Sequence, residues 1–279
     1  MRAAGRRPGL SVSSAVMEPT TAELIRQLAD ENPHVRRDAA RALGEAEAKE
    51  AVAALCALLG RPAEEDDESH PEHTARAAAA VALGRIGDPA ATDSLIQAIE
   101  DPFNAGTAAS TALGRLVPPP VERLVAATRD ASPWRRARAV VALGECGDGE
   151  AFPAMVALLD DPEVSVRRAA AAAFGKLRDP RAVAPLVALL QRSGEATFVR
   201  SYAAVSLGSI KDRGSVEALI AALDAADPLL RRSAARALCR IGDPRSHERL
   251  TTMAVEDPDK TVRQIVERYV NPRPGQREH

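Results

Sequence analysis

Residues 161–190 read DPEVSVRRAAAAAFGKLRDPRAVAPLVALL. An Asp-Pro step opens the stretch, and Val166, Ala170 and Phe174 then recur at helical spacing. Gly175 follows, Asp179-Pro180 marks a turn, and a second helix carries Val183, Leu186, Val187 and Leu190. Each helix has one apolar stripe and cannot bury it alone, so the unit needs neighbours on both sides.

The rest of the chain supplies them. A Leu slot recurs at Leu43, Leu83, Leu113, Leu143, Phe174, Leu207, Leu238 and Val270, with spacings of 30 to 40 residues. The residue after it is Gly44, Gly84, Gly114, Gly144, Gly175 and Gly208, then Cys239 and Asn271. Alanine stands four residues before the slot in seven copies and valine, Val266, in the last. Arginine stands seven residues before it in every copy except the third, which has Gly106. The pattern predicts eight helix pairs, a first helix A and an arginine-bearing helix B in each. Asp-Pro steps mark several of the starts, because Asp caps free N–H groups and Pro tolerates the first helical position. The array is expected over residues 20–271, with a disordered leader at 1–19 and a disordered tail at 272–279.

The D-x5-V-R step (Asp161, Val166, Arg167), the Ala-Leu-Gly step and the Gly-Asp-Pro turns at 87–89 and 242–244 resemble HEAT repeats of the short PBS-lyase HEAT-like type. The resemblance implies an all-α, right-handed α-solenoid with A helices on the convex face and B helices on the concave face. It also implies an Asp–Arg ladder between repeats, for which the candidates are Asp30 with Arg36, Asp130 with Arg136, Asp161 with Arg167, and Asp257 with Arg263. On that reading these arginines hold the array together and touch no ligand.

Composition narrows function by exclusion. Formal charge is −2 and aromatics are only 3% of residues, so no overall basic excess points to nucleic acid. No apolar run reaches the length of a membrane span. Three well-separated cysteines suit a reduced, cytoplasmic protein without a disulfide framework. The histidines stand at 34, 70, 73, 247 and 279, none beside a plausible nucleophile, and no cofactor is called for.

Two places depart from the repeat. Residues 62–73, PAEEDDESHPEH, lengthen one loop with acidic residues; its bland reading is a solvated loop, its sharp one a metal site from His70, Glu72 and His73. In the third copy Gly106 weakens the start of its helix, which reads as a degenerate repeat or a soft joint.

A helical wheel of about 100° per residue with the Leu slot inward puts Arg138, Arg168, Arg232 and Arg236 on the B face opposite the core. Trp134, Phe198 and Tyr202 share that face, three of seven aromatics in the chain. The expectation is a non-catalytic scaffold that binds a protein or peptide in this basic groove, through arginines and aromatic anchors. A phycobilin-lyase-like enzyme and a nucleic-acid binder are the alternatives. Deoxyhypusine hydroxylase, a di-iron HEAT-repeat enzyme, uses repeated His-Glu pairs; this chain has one, His247-Glu248, on its last A helix, which reads as a polar terminal cap.

Overall fold

The computed structural model describes residues 19–62 and 71–270. The expected leader and tail, and residues 63–70 of the acidic insertion including His70, lie outside the described residues.

The A layer comprises α1 (Thr21–Gln27), α3 (Val52–Leu59), α5 (Thr92–Ala98), α7 (Val121–Ala127), α9 (Phe152–Ala157), α11 (Val183–Gln191), α13 (Val216–Ala222) and α15 (His247–Glu256). The B layer comprises α2 (Pro33–Glu45), α4 (Pro71–Ile86), α6 (Asn104–Leu113), α8 (Pro133–Cys146), α10 (Val164–Leu177), α12 (Thr197–Ile210), α14 (Pro228–Ile241) and α16 (Lys260–Val270). They form a right-handed α-solenoid of eight helix pairs. Successive B helices pack against each other more extensively than successive A helices, so the B layer follows the inner curve.

Local chemistry sets the element ends. Asp88, Asp179 and Asp243 each accept a hydrogen bond from the N–H two residues on, at 2.9, 2.8 and 3.0 Å, with proline between. Each cap starts a short 3-10 turn, and the A helix proper begins only after it. Helix α4 starts at Pro71, inside the acidic insertion, because Pro71 suits a first turn and Glu72 there reaches back to Arg36.

The Leu slots are the axis of the core: Leu43, Leu83, Leu113, Leu143, Phe174, Leu207 and Leu238 are fully buried. The glycine after the slot sets how closely B helices approach. A Cβ on Gly44 would sit 2.7 Å from Ala82 Cα, so only glycine permits that crossing. The same contact recurs down the array except at Gly114. There the nearest neighbour is Glu145, and Ala142 offers only its carbonyl oxygen. The packing register therefore changes between α6 and α8.

The ladder exists, with different partners from those expected. Arg136 grips Asp161 of the following repeat through Nε (2.7 Å) and Nη2 (2.8 Å). Arg231 holds Asp257 at 2.9 and 3.0 Å, Arg76 holds Asp101 at 2.7 Å, and Arg36 holds Glu72. Arg167 pairs with Glu195 at 2.7 and 2.8 Å rather than with a carboxylate of its own repeat. Within a repeat the arginine meets only carbonyls: Arg136 Nη1 donates to Asp130 and Ala131 oxygens, and Arg263 Nη1 to those of Asp257 and Pro258. Asp30 and Asp130 are thus not rungs, since the first has no copy before it and the second follows the copy with Gly106; their carboxylates accept the N–H groups of Asn32 and Ser132. Glu72 and Glu195 were missed because their position before the next slot arginine differs from that of the aspartates.

Candidate functional site

The concave face carries the candidate residues at the N-terminal ends and outward stripes of α8, α10, α12 and α14. Trp134, at the start of α8, is 54% exposed, and Phe198 and Tyr202, one turn apart on α12, are 42% and 38% exposed. Large aromatics left this open on a helix surface are the exception, because burying them is strongly favourable. Arg168, exposed on α10, lies over the Tyr202 ring at 5.4 Å, a cation–π contact that ties α10 to α12. Arg236 is exposed and Arg232 half-buried on α14. The aromatics therefore form two centres, Trp134 on α8 and Phe198 with Tyr202 on α12, with α10 between them. Among the described residues no ring contact joins the two.

Arg138 departs from the expectation. It is only 7% exposed and is built into the joint between repeats. Its Nη1 donates to the Ile99 carbonyl at 2.8 Å and to that of Asp101, and Nη2 donates to Phe103 at 3.3 Å. These are the carbonyls around the place where a slot arginine of the third copy would point. Gly106 leaves that place open, and a Cβ there would collide with the Arg138 guanidinium. Arg138 of α8 thus reaches back to stand in for the absent arginine, while its guanidinium also lies 5.3 Å from the Trp134 ring. Burial lowers its pKa and Asp101 partly offsets that. The wheel failed here because it assumes one packing register throughout, and the register changes at this joint.

The groove is less basic than a list of its arginines implies. Arg37 pairs with Asp38 at 2.8 Å, Arg85 with Glu45 at 3.6 Å, and Lys176 with Glu145. Arg168, Arg232 and Arg236 pair with no carboxylate among the described residues. Unpaired arginines of α10 and α14 thus flank the aromatics of α12.

The metal expectation finds no assembled ligand set. Glu72 is a ladder carboxylate held by Arg36, with Arg61 at 3.5 Å. His73 is buried with its ring 4.2 Å from that of Phe103. His34 is exposed beside Arg37, and His247 with Glu248 is exposed on the outer helix α15. Among the described residues no three histidine, cysteine or acidic side chains converge as a metal site.

A family model described as HEAT repeats matches residues 21–114, 121–197 and 192–270. A deoxyhypusine hydroxylase of Eremothecium gossypii is 31% identical over 206 residues, covering 73% of this chain and 62% of that protein. A deoxyhypusine hydroxylase of Candida albicans is 34% identical over 105 residues, 38% of this chain and 33% of that protein. This chain therefore spans less than two thirds of either relative. The Kap95p–RanGDP complex contains a chain that superposes with a TM-score of 0.63 at 14% identity, over 90% of this chain and 41% of its own, which shows the shared fold. The curated relatives are enzymes, and this overturns the expectation of a non-catalytic scaffold. With the repeat model matched along nearly the whole array, the chain belongs to the HEAT-repeat family.

Proposed function

We propose that this chain is an enzyme of the deoxyhypusine hydroxylase type, and that it takes its protein substrate on the concave face of α8, α10 and α12. The observation that carries this reading is the pair of open aromatic centres, Trp134 and Phe198–Tyr202, set beside the unpaired Arg168. Rigid exposed aromatics next to arginine are the residues that dominate protein interfaces. The relationship to deoxyhypusine hydroxylases supplies the class of substrate.

A di-iron centre built from repeated His-Glu pairs needs several such pairs facing one another, and the described residues hold a single pair, on the outer side of α15. Among the described residues the donor set does not fit an iron pair. The cytoplasm is the proposed compartment. The three cysteines are unpaired, and burial first of all pushes Cys146 up to about 11 and Cys239 to about 12, so both stay protonated thiols. No helix of the described residues is long and apolar enough to cross a membrane.

The test is a binding titration with a protein carrying deoxyhypusine and with its unmodified-lysine form, wild type beside Trp134→Ala/Tyr202→Ala. Binding of the modified protein that weakens at least tenfold in the double variant, with an unchanged Tm, is the expected result. Equal affinity in the double variant, or no affinity for either form, overturns the reading.

A further inference from the structure

The other half of the groove has a different character. The concave surfaces of α2 and α4, with Asn104 of α6, line an open groove of about 560 Å³. Its floor is Ala77, Ala78, Val81 and Ala82 of α4. At one end stand Arg41 and Arg85 with Glu45, and at the other Thr74 and Asn104.

The sequence accounts for the space. Ala77 and Ala78 of α4 stand where α10 bears Arg168 and α12 bears Tyr202. The crossing at Gly44 brings α2 down onto Ala82, which closes the floor. Val81, in the middle of that floor, is 43% exposed. The volume falls within the range of about 300–1,000 Å³ typical of small-molecule sites.

We infer that this open groove binds a small monocarboxylate with an apolar body. The apolar part lies on the Ala–Val floor, and the carboxylate meets Arg41 and Arg85. Two arginines and one acid, Glu45, line that end. The Arg85–Glu45 contact is long, at 3.6 Å, and both side chains are well exposed, so water already competes with it and Arg85 turns to a ligand at little cost. Arg41 pairs with no carboxylate among the described residues. Thr74 donates its hydroxyl to the Pro71 carbonyl at 2.7 Å, which leaves its oxygen as an acceptor for a polar group at the far end. A cationic amine is disfavoured by the two arginines, and a purely apolar ligand leaves them unused.

Octanoate is the probe, with octanol and acetate as controls, titrated into the full chain by calorimetry. Octanoate is expected to bind at least tenfold more tightly than either control. The Val81→Trp variant fills the groove from a partly exposed position and is expected to lose the binding. Arg41→Gln/Arg85→Gln weakens it about tenfold, the scale of one lost charge-assisted contact. The Trp134→Ala/Tyr202→Ala variant retains it, which separates this site from the protein-binding face. Octanoate no tighter than octanol, or wild-type affinity in Arg41→Gln/Arg85→Gln, overturns the inference whether or not Val81→Trp folds.

Discussion

The N-terminal and C-terminal halves of the groove are built from the same repeat and present opposite surfaces. On α4 the outward stripe is small and apolar, and Arg85 beside it is partly neutralised by Glu45. On α10 and α12 the stripe carries Arg168, Phe198 and Tyr202, with no carboxylate answering the arginine. Both halves keep the buried Leu slots and ladder rungs. The repeat constrains only what is buried between helices, and the outward stripe is left for ligands to select. The two halves meet where the third copy lacks its slot arginine and Arg138 replaces it from the next repeat.

The sharpest way to break this comparison is at the joint. Arg138→Ala removes the donor for three buried or half-buried carbonyls at once and opens a space beside Gly106. Loss of a buried charged partner of this kind costs about 3 kcal/mol or more. Chemical denaturation should show that loss, and a change below about 1 kcal/mol would mean that the joint does not depend on Arg138.

Within the ladder the effect should depend on the partner. Arg136 has a bidentate grip on Asp161, whereas Arg200 reaches the Leu190 carbonyl through Nε at 2.7 Å and has no carboxylate partner among the described residues. Arg136→Ala leaves a mostly buried carboxylate unpaired and should cost about 3 kcal/mol. Arg200→Ala loses one hydrogen bond to a carbonyl and should cost about 1–2 kcal/mol. Equal losses in parallel urea melts would remove the distinction between rung and carbonyl contact.

The smallest effect is in acid. Burial pushes Asp161 and Asp257 up, but hydrogen bonds from Arg136 and Arg231 and from backbone N–H groups outweigh it, and both end below the usual carboxylate range. Glu195 is lowered chiefly by its hydrogen bond from Arg167. A carboxylate with a depressed folded pKa stabilises the fold above its unfolded value, about 3.9 for Asp and 4.3 for Glu, and that stability is lost as pH falls through the lower folded value. Tm should therefore be level with respect to these groups from pH 5 to 7 and fall below about pH 4. The fall should be shallower in Arg136→Ala, where Asp161 has already lost its partner; an equal slope would show that this rung does not set the acid limit.

Much of the fold was legible because its signals are local. The Leu slot and the alanine before it report one helix face, and Asp88, Asp179 and Asp243 cap the turn that follows them. The site was legible in part. Trp134, Phe198, Tyr202 and Arg168 stand on the open face that a wheel assigns them. Arg138 does not, and no single-helix pattern could have found it, because its role depends on a glycine 32 residues earlier and on how α6 meets α8. The open groove on α4 was likewise invisible, since small residues read as close packing until the neighbouring helices are seen to leave the space above them open.

By itself the sequence determined the eight-fold helical repeat, the inward stripe of each helix, and the place where the pattern fails. Those are periodic properties of a chain segment, set by the geometry of one helix and its caps. Only the tertiary structure decided that Arg136 pairs with Asp161 and Arg167 with Glu195, that Arg138 is buried, and that α2 and α4 line an open groove. Those properties depend on the register between helices, where displacing one helix by a turn exchanges every partner without altering any apolar stripe.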